Sequence, residues 1–98
     1  MKFDGFDWDA GNTAKCQAHG VSIAEIESVF LGELRVAPDA EHSEAEQRFR
    51  AVGRTQAGRH LFAVFSVRRR KSDVLVRPIG ARFMHRKEID AYEQKDIP

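Results

Sequence analysis

Apolar positions change their period along the chain, and the changes divide it into elements. Phe3 to Trp8 alternates aromatic and acidic residues ("FDGFDWD"), which predicts a short strand or an extended arm whose rings pin it to the core. A helix is expected from about Ala10 to His19, closed by Gly20, which can take the left-handed conformation just past a helix end. The segment "VSIAE" then opens a second helix. Ser22 as N-cap and Glu25 three residues on form a capping box, and Val21 with Ile26 adds a hydrophobic staple. Ile23, Ile26, Val29 and Phe30 repeat at the spacing of one buried helical face, and Gly32 ends the run.

From Leu34 the period falls to two. Strands are expected at Leu34–Ala37, Gln47–Arg54, His60–Val67 and Asp73–Ala81, and the separators "TQAGR" and "RRRKS" are short enough for antiparallel hairpins. In "LFAVFSV" both alternating sets are mainly apolar, so this strand should be central and covered on both faces. Pro78 cannot donate to a ladder, which places it at an edge or a bulge. A last helix is expected from about Met84 to Gln94, with Ile89 and Tyr92 facing inward. The simplest assembly is an α+β domain, with an antiparallel sheet of about four strands, two N-terminal helices and one C-terminal helix. With no internal repeat or linker, the 98 residues read as one domain.

Charge changes this picture. The net charge is only +1, but residues 1–46 hold three basic side chains against ten acidic ones, net −7, and residues 47–98 hold thirteen against five, net +8. Between positions 47 and 87, Asp73 is the only acid among twelve Lys and Arg. Such halves either neutralise each other in the fold or leave a basic surface that attracts phosphate. Period two puts Arg48, Arg50 and Arg54 on one face of their strand, with Phe49 and Ala51 on the other. Arg68, Arg69, Arg70 and Lys71 crowd a hairpin turn, and Arg77, Arg82, Arg86 and Lys87 follow. These guanidinium groups are expected to converge on one cationic cleft shaped for a ribose-phosphate strand. Cys16 has no internal disulfide partner, no apolar run reaches the roughly 18 residues of a membrane span, and the acidic start is no signal peptide. A reduced, cytoplasmic setting is expected.

Cleaving RNA without a metal needs a base near the ribose 2′-hydroxyl, cationic donors for charge on the phosphorus-centred transition state, and an acid for the leaving 5′-oxygen. Histidine is the side chain best matched to proton transfer near neutral pH. His19 sits at a helix end, where it caps carbonyls or meets substrate, and His42 lies in a polar loop with Ser43, Glu44 and Glu46. His60 opens a strand and is expected to be structural. His85, flanked by Arg82 and Arg86, is the strongest candidate. None of the four lies in a His-Glu-x-x-His or Cys-x-x-Cys pattern, so neither metal nor cofactor is expected. The last helix also opposes its dipole, with His85, Arg86 and Lys87 first and Asp90 and Glu93 later. Phosphate, or acidic side chains of a partner, is expected to approach those cations.

Taken together, "FDWDAGN…KCQAHGVSIAEIESVF", "PDAEHSEAEQRFRAVGRTQAGRHLFAVFSVR" and "RPIGARFMHRKEIDAYE" resemble the BrnT family of toxins over nearly the whole chain. The resemblance rests on Trp8-Asp9, His19-Gly20-Val21, His42-Ser43, Glu46-x-Arg48-Phe49, Gly53-Arg54 and Ala81-Arg82…Glu88…Tyr92 in order and spacing. It implies a RelE-like ribonuclease fold and a toxin of a type II toxin-antitoxin system, a metal-independent endoribonuclease that inhibits translation. It also implies neutralisation by a BrnA-like ribbon-helix-helix antitoxin, through which alone operator DNA is bound. On this reading His42 or His85 moves protons, Glu46 orients or accepts one, and Arg48 and Arg82 complete the catalytic set. Arg50, Arg54, Arg77, Arg86, Lys87 and His19 bind RNA. Ala18 and Gly80 stand where relatives usually carry Lys and Ser, and Phe83 where Tyr is common. Loss of those groups points to weaker catalysis or, as the alternative, to a binding module that acts through antitoxin or nucleic acid alone.

Overall fold

A computed structural model describes residues 1–42 and 46–95. In chain order the elements are β1 (Gly5–Phe6), α1 (Ala10–Gln17), α2 (Ile23–Leu31), β2 (Leu34–Pro38), a 3₁₀ turn (Ala40–His42), β3 (Phe49–Arg54), β4 (His60–Arg70), β5 (Asp73–Phe83) and α3 (Arg86–Lys95). The four strands from β2 to β5 form the expected antiparallel meander, and the sheet order is β1-β5-β4-β3-β2. The aromatic-acidic arm adds a fifth strand, because β1 pairs in parallel with β5. The sheet is therefore mixed rather than purely antiparallel. The arm's rings do pin it: Phe3, Phe6, Phe30 and Phe65 stand edge to face in sequence, with centroids 5.2, 6.0 and 5.0 Å apart.

Both strands of the β4–β5 hairpin run 11 residues, past the apolar stretches that suggested them. Ladder hydrogen bonds are made by the backbone, so Arg68, Arg69 and Arg70 continue the pairing to Arg70–Asp73 without apolar side chains. Pro78 sits at a bulge, as its missing donor requires. Phe65 faces Pro78 while Val64 faces Gly80, leaving Ile79 as the extra residue.

Helix α2 begins as its capping box dictates. Ser22 Oγ accepts from Glu25 N at 3.0 Å, and Glu25 Oε1 accepts from Ser22 N at 2.9 Å. A second capping box, from Asp9 and Asn12, starts α1, and Gly20 just beyond its end has a φ of 83°. Both helices lie on one face of the sheet, where Cys16, Ile26 and Phe30 meet Leu61, Ala63 and Phe65 in the core. Close approach of α2 and the start of β2 to β3 is possible only because position 53 lacks a side chain. A Cβ on Gly53 would stand 2.9 Å from Glu33 O and 3.0 Å from Val29 Cγ1. Gly53→Ala is thus expected to cost about 1–3 kcal/mol of stability by overpacking, measurable by denaturant unfolding. Helix α3 lies on the opposite face. Among the described residues, no helix is long and apolar enough to cross a membrane.

Candidate functional site

The face of the sheet turned away from α1 and α2 collects arginines. Alternation along β4 puts His60, Phe62, Val64, Ser66, Arg68 and Arg70 on that face, and register adds their partners. Arg54 lies opposite His60, Arg82 opposite Phe62, Arg50 opposite Val64, and Arg77 opposite Ser66. From β2, Arg35 joins them opposite Val52. The guanidinium groups of Arg50, Arg54, Arg68, Arg70, Arg77 and Arg82 thus share one side of the molecule.

They do not form the bare cationic cleft expected from sequence, because carboxylates from both halves of the chain are interleaved with them. Arg77 donates to Asp9 through two bonds of 2.9 and 3.1 Å and to Asp7 at 3.4 Å. Arg70 also reaches the buried Asp7, and Arg68 pairs with Glu46 at 3.1 Å. Glu93 of α3 accepts from Arg54 at 2.7 Å and contacts His60 Nε2 at 2.9 Å. Arg82 donates both arms of its fork to Glu88, at 2.7 and 2.8 Å. Arg50 is exposed and has no ion pair among the described residues.

These pairs shift their carboxyls. Hydrogen bonds from Arg77 hold Asp9 below the usual carboxylate range, and the same bonds raise Arg77. Glu88 is lowered from 4.5 to about 2, chiefly by Arg82 and then by the backbone N–H of His85. A carboxyl depressed in the fold adds stability that is present above about pH 4.5 and lost as pH falls toward about 2. Glu88→Gln should therefore flatten the acid limb of the Tm–pH curve between those values, and curves that stay parallel would rule this out.

Glu88 also resolves the inverted charges of α3. Its Oε1 accepts from His85 N at 2.9 Å, so an anion three residues past the helix start folds back over it. The chain thus supplies an anion of its own at this helix start, beside the cations that phosphate or a partner is expected to approach.

The sequence-derived candidates do not gather at one point, and most lie toward the two ends of the face. At the α3 end lie Arg82, His85, Arg86 and Lys87, with Arg54 tied to Glu93. At the other end lies Glu46, bonded to Arg68, with Arg48 close by in sequence. Arg68 is six residues from Phe62 along β4, so the groups stand about 20 Å apart at a rise of roughly 3.3 Å per residue. His42 ends the 3₁₀ turn, but its side chain and Ser43 lie outside the described residues. Arg50 and Arg77 occupy the middle of the face. Arg86 is exposed and, among the described residues, forms only a 3.6 Å pair with Asp90. His19 lies in the α1–α2 connection, within the opposite layer, and is not brought to this face.

Arg35 escaped the sequence reading, and Tyr92 entered it only as an inward-facing residue and part of the family-like ending. Arg35, in the acidic half, lies 4.6 Å over the Tyr92 ring, and Tyr92 packs edge to face on His60 at 5.6 Å. Alternation in "LRVAP" separates Arg35 from Leu34 and Val36, a signal that was available; the pairing with Tyr92 is long-range and was not. Arg35 and Tyr92 help to wall a cleft of about 420 Å³ between α3 and the sheet. Among the described residues, no group of three or more His, Cys, Asp and Glu side chains is placed to hold a metal ion.

A family model described as the ribonuclease toxin BrnT of type II toxin-antitoxin systems matches residues 8–88. That span runs from Trp8 through the arginine face to Glu88. No curated protein matches the chain.

Proposed function

From the premise that the chain belongs to the BrnT family of type II toxin-antitoxin ribonuclease toxins, we propose that it is a metal-independent endoribonuclease that inhibits translation, with the arginine-bearing sheet face as its RNA site. The observation that carries this is the register that puts six arginines of β3, β4 and β5 on one side. A single strand would lie along the face, its phosphates held by Arg50, Arg54 and Arg77, with Arg86 and Lys87 flanking the α3 end and Glu46, Arg48 and Arg68 at the far end. Where carboxylates now sit, phosphates would exchange with them, since the guanidinium fork takes either anion bidentately.

In this proposal the scissile phosphate meets Arg82. The ribose 2′-oxygen attacks phosphorus, the bond to the 5′-oxygen breaks, and Arg82 stabilises the added charge in between. His85, three residues on, accepts the proton of the attacking 2′-hydroxyl and delivers a proton to the leaving 5′-oxygen. The products are a 2′,3′-cyclic phosphate and a free 5′-hydroxyl. A BrnA-like antitoxin with acidic side chains would neutralise the toxin by covering the same face, leaving operator DNA to the antitoxin.

The test is incubation of the antitoxin-free protein with single-stranded RNA in excess chelator. Cyclic-phosphate ends are expected. Intact RNA, despite steeply salt-dependent binding, would instead favour a binding module, a reading to which the occupied state of Arg77 and Arg82 lends weight.

A further inference from the structure

The cleft of about 420 Å³ between α3 and the sheet has walls unlike the rest of the arginine face. Val52 and Phe62 form an apolar floor, Ala91 and Tyr92 of α3 form one wall, and Arg50 and Arg35 line it from β3 and β2. We propose that this cleft receives one unstacked nucleobase of the bound RNA, an inference that rests on the RNA-binding function above and adds a base subsite to it.

Three observations carry it. Phosphate cannot satisfy an apolar floor, whereas a flat neutral base can, and bases in single strands stack on aromatic rings and guanidinium planes. Arg82 and Arg35 lie 4.9 and 4.6 Å over the Phe62 and Tyr92 centroids, so one face of each ring is already covered. The base would stack on the remaining ring surface or on the guanidinium plane of Arg35, which lines the cleft. Charge complementarity selects the occupant. Arg50 is exposed and carries no ion pair among the described residues, so it is available for the phosphate beside that base. Glu88, which also lines the cleft, places it directly against Arg82, where the scissile phosphate is proposed to sit. A base seated here would set where along a strand cleavage occurs.

Short 2′-O-methyl RNA oligonucleotides, which bind without being cut, are compared with versions lacking one base, using fluorescence anisotropy. The intact strand is expected to bind about tenfold tighter than the version lacking the seated base. Ala91→Trp and Ala37→Trp replace exposed residues that line the cleft, so they fill it without disturbing the core. Both are expected to abolish the preference while keeping salt-dependent binding, with Tm near that of the parent chain. Equal affinity for intact and abasic strands, or a preference that survives both tryptophans, overturns the proposal. So does loss of antitoxin binding alone in the filled variants, which would make the cleft a protein-docking site. Base-dependent binding without any cleavage would uphold the subsite and reject the ribonuclease activity, and cleavage without base dependence would do the reverse.

Discussion

Arg82→Ala is expected to lower the rate of RNA cleavage about 100-fold, in the range found when one preorganised transition-state donor is removed. Arg82 presents a planar fork whose two arms are aimed at a single anion, at present Glu88. Lysine at this position keeps the charge but not the fork, so Arg82→Lys should recover only part of the loss. The fold should survive either change, because Glu88 still accepts from His85 N and still starts α3. The measurement is kcat/KM on a defined RNA together with Tm. A loss of activity matched by an equal collapse of Tm would assign Arg82 to structure instead.

The largest effect on stability is expected at Phe65. It is 1% exposed, stands 5.0 Å from Phe30 and 5.4 Å from Phe49 between ring centroids, and links α2 to β4 and β3. Phe65→Ala removes a buried ring and leaves a cavity, at a cost of about 3–5 kcal/mol. Small domains unfold with roughly 5–15 kcal/mol in total, and each kcal/mol shifts Tm by about 4–8 °C at this size. A thermal scan should therefore show a fall of at least 10–15 °C. A shift of only a few degrees would mean that α2 is held on the sheet by other contacts.

The elements that read most clearly from sequence were those set by local chemistry. The Ser22–Glu25 box and Gly32 marked the ends of α2, and the missing donor of Pro78 marked a bulge. The box of Asp9 and Asn12 was overlooked because asparagine, not glutamate or glutamine, closes it. Parallel pairing of Gly5 and Phe6 with Leu75 and Val76 spans seventy positions and has no local signature. The ends of β4 and β5 were underestimated because apolar alternation stops before the backbone ladder does, whereas β3 begins at Phe49, two residues after the expected Gln47.

For the candidate site, period two correctly placed Arg50 and Arg54 on one side of β3. What it could not give was the partner of each charge. Asp7 and Asp9 meet Arg77 from 70 and 68 positions away, and both sit in the arm whose course depends on its parallel pairing. Nor could spacing show that Glu46 and His85 end at opposite ends of the face, since that follows from the register of β4 against β5. The return of Glu88 to His85 N was within reach, because its three-residue offset matches a capping box. Histidine in place of serine or threonine hid it.

The central proposal is that RNA occupies the sheet face bearing Arg50, Arg77 and Arg82, and the most direct measurement is ultraviolet cross-linking of a non-cleavable RNA, with the modified peptides mapped by mass spectrometry. Adducts on β3, β4, β5 and α3, centred on Phe62 and Tyr92, are the predicted result. Adducts confined to α1, α2 or the His19 turn, with the arginine face unmodified, would contradict it.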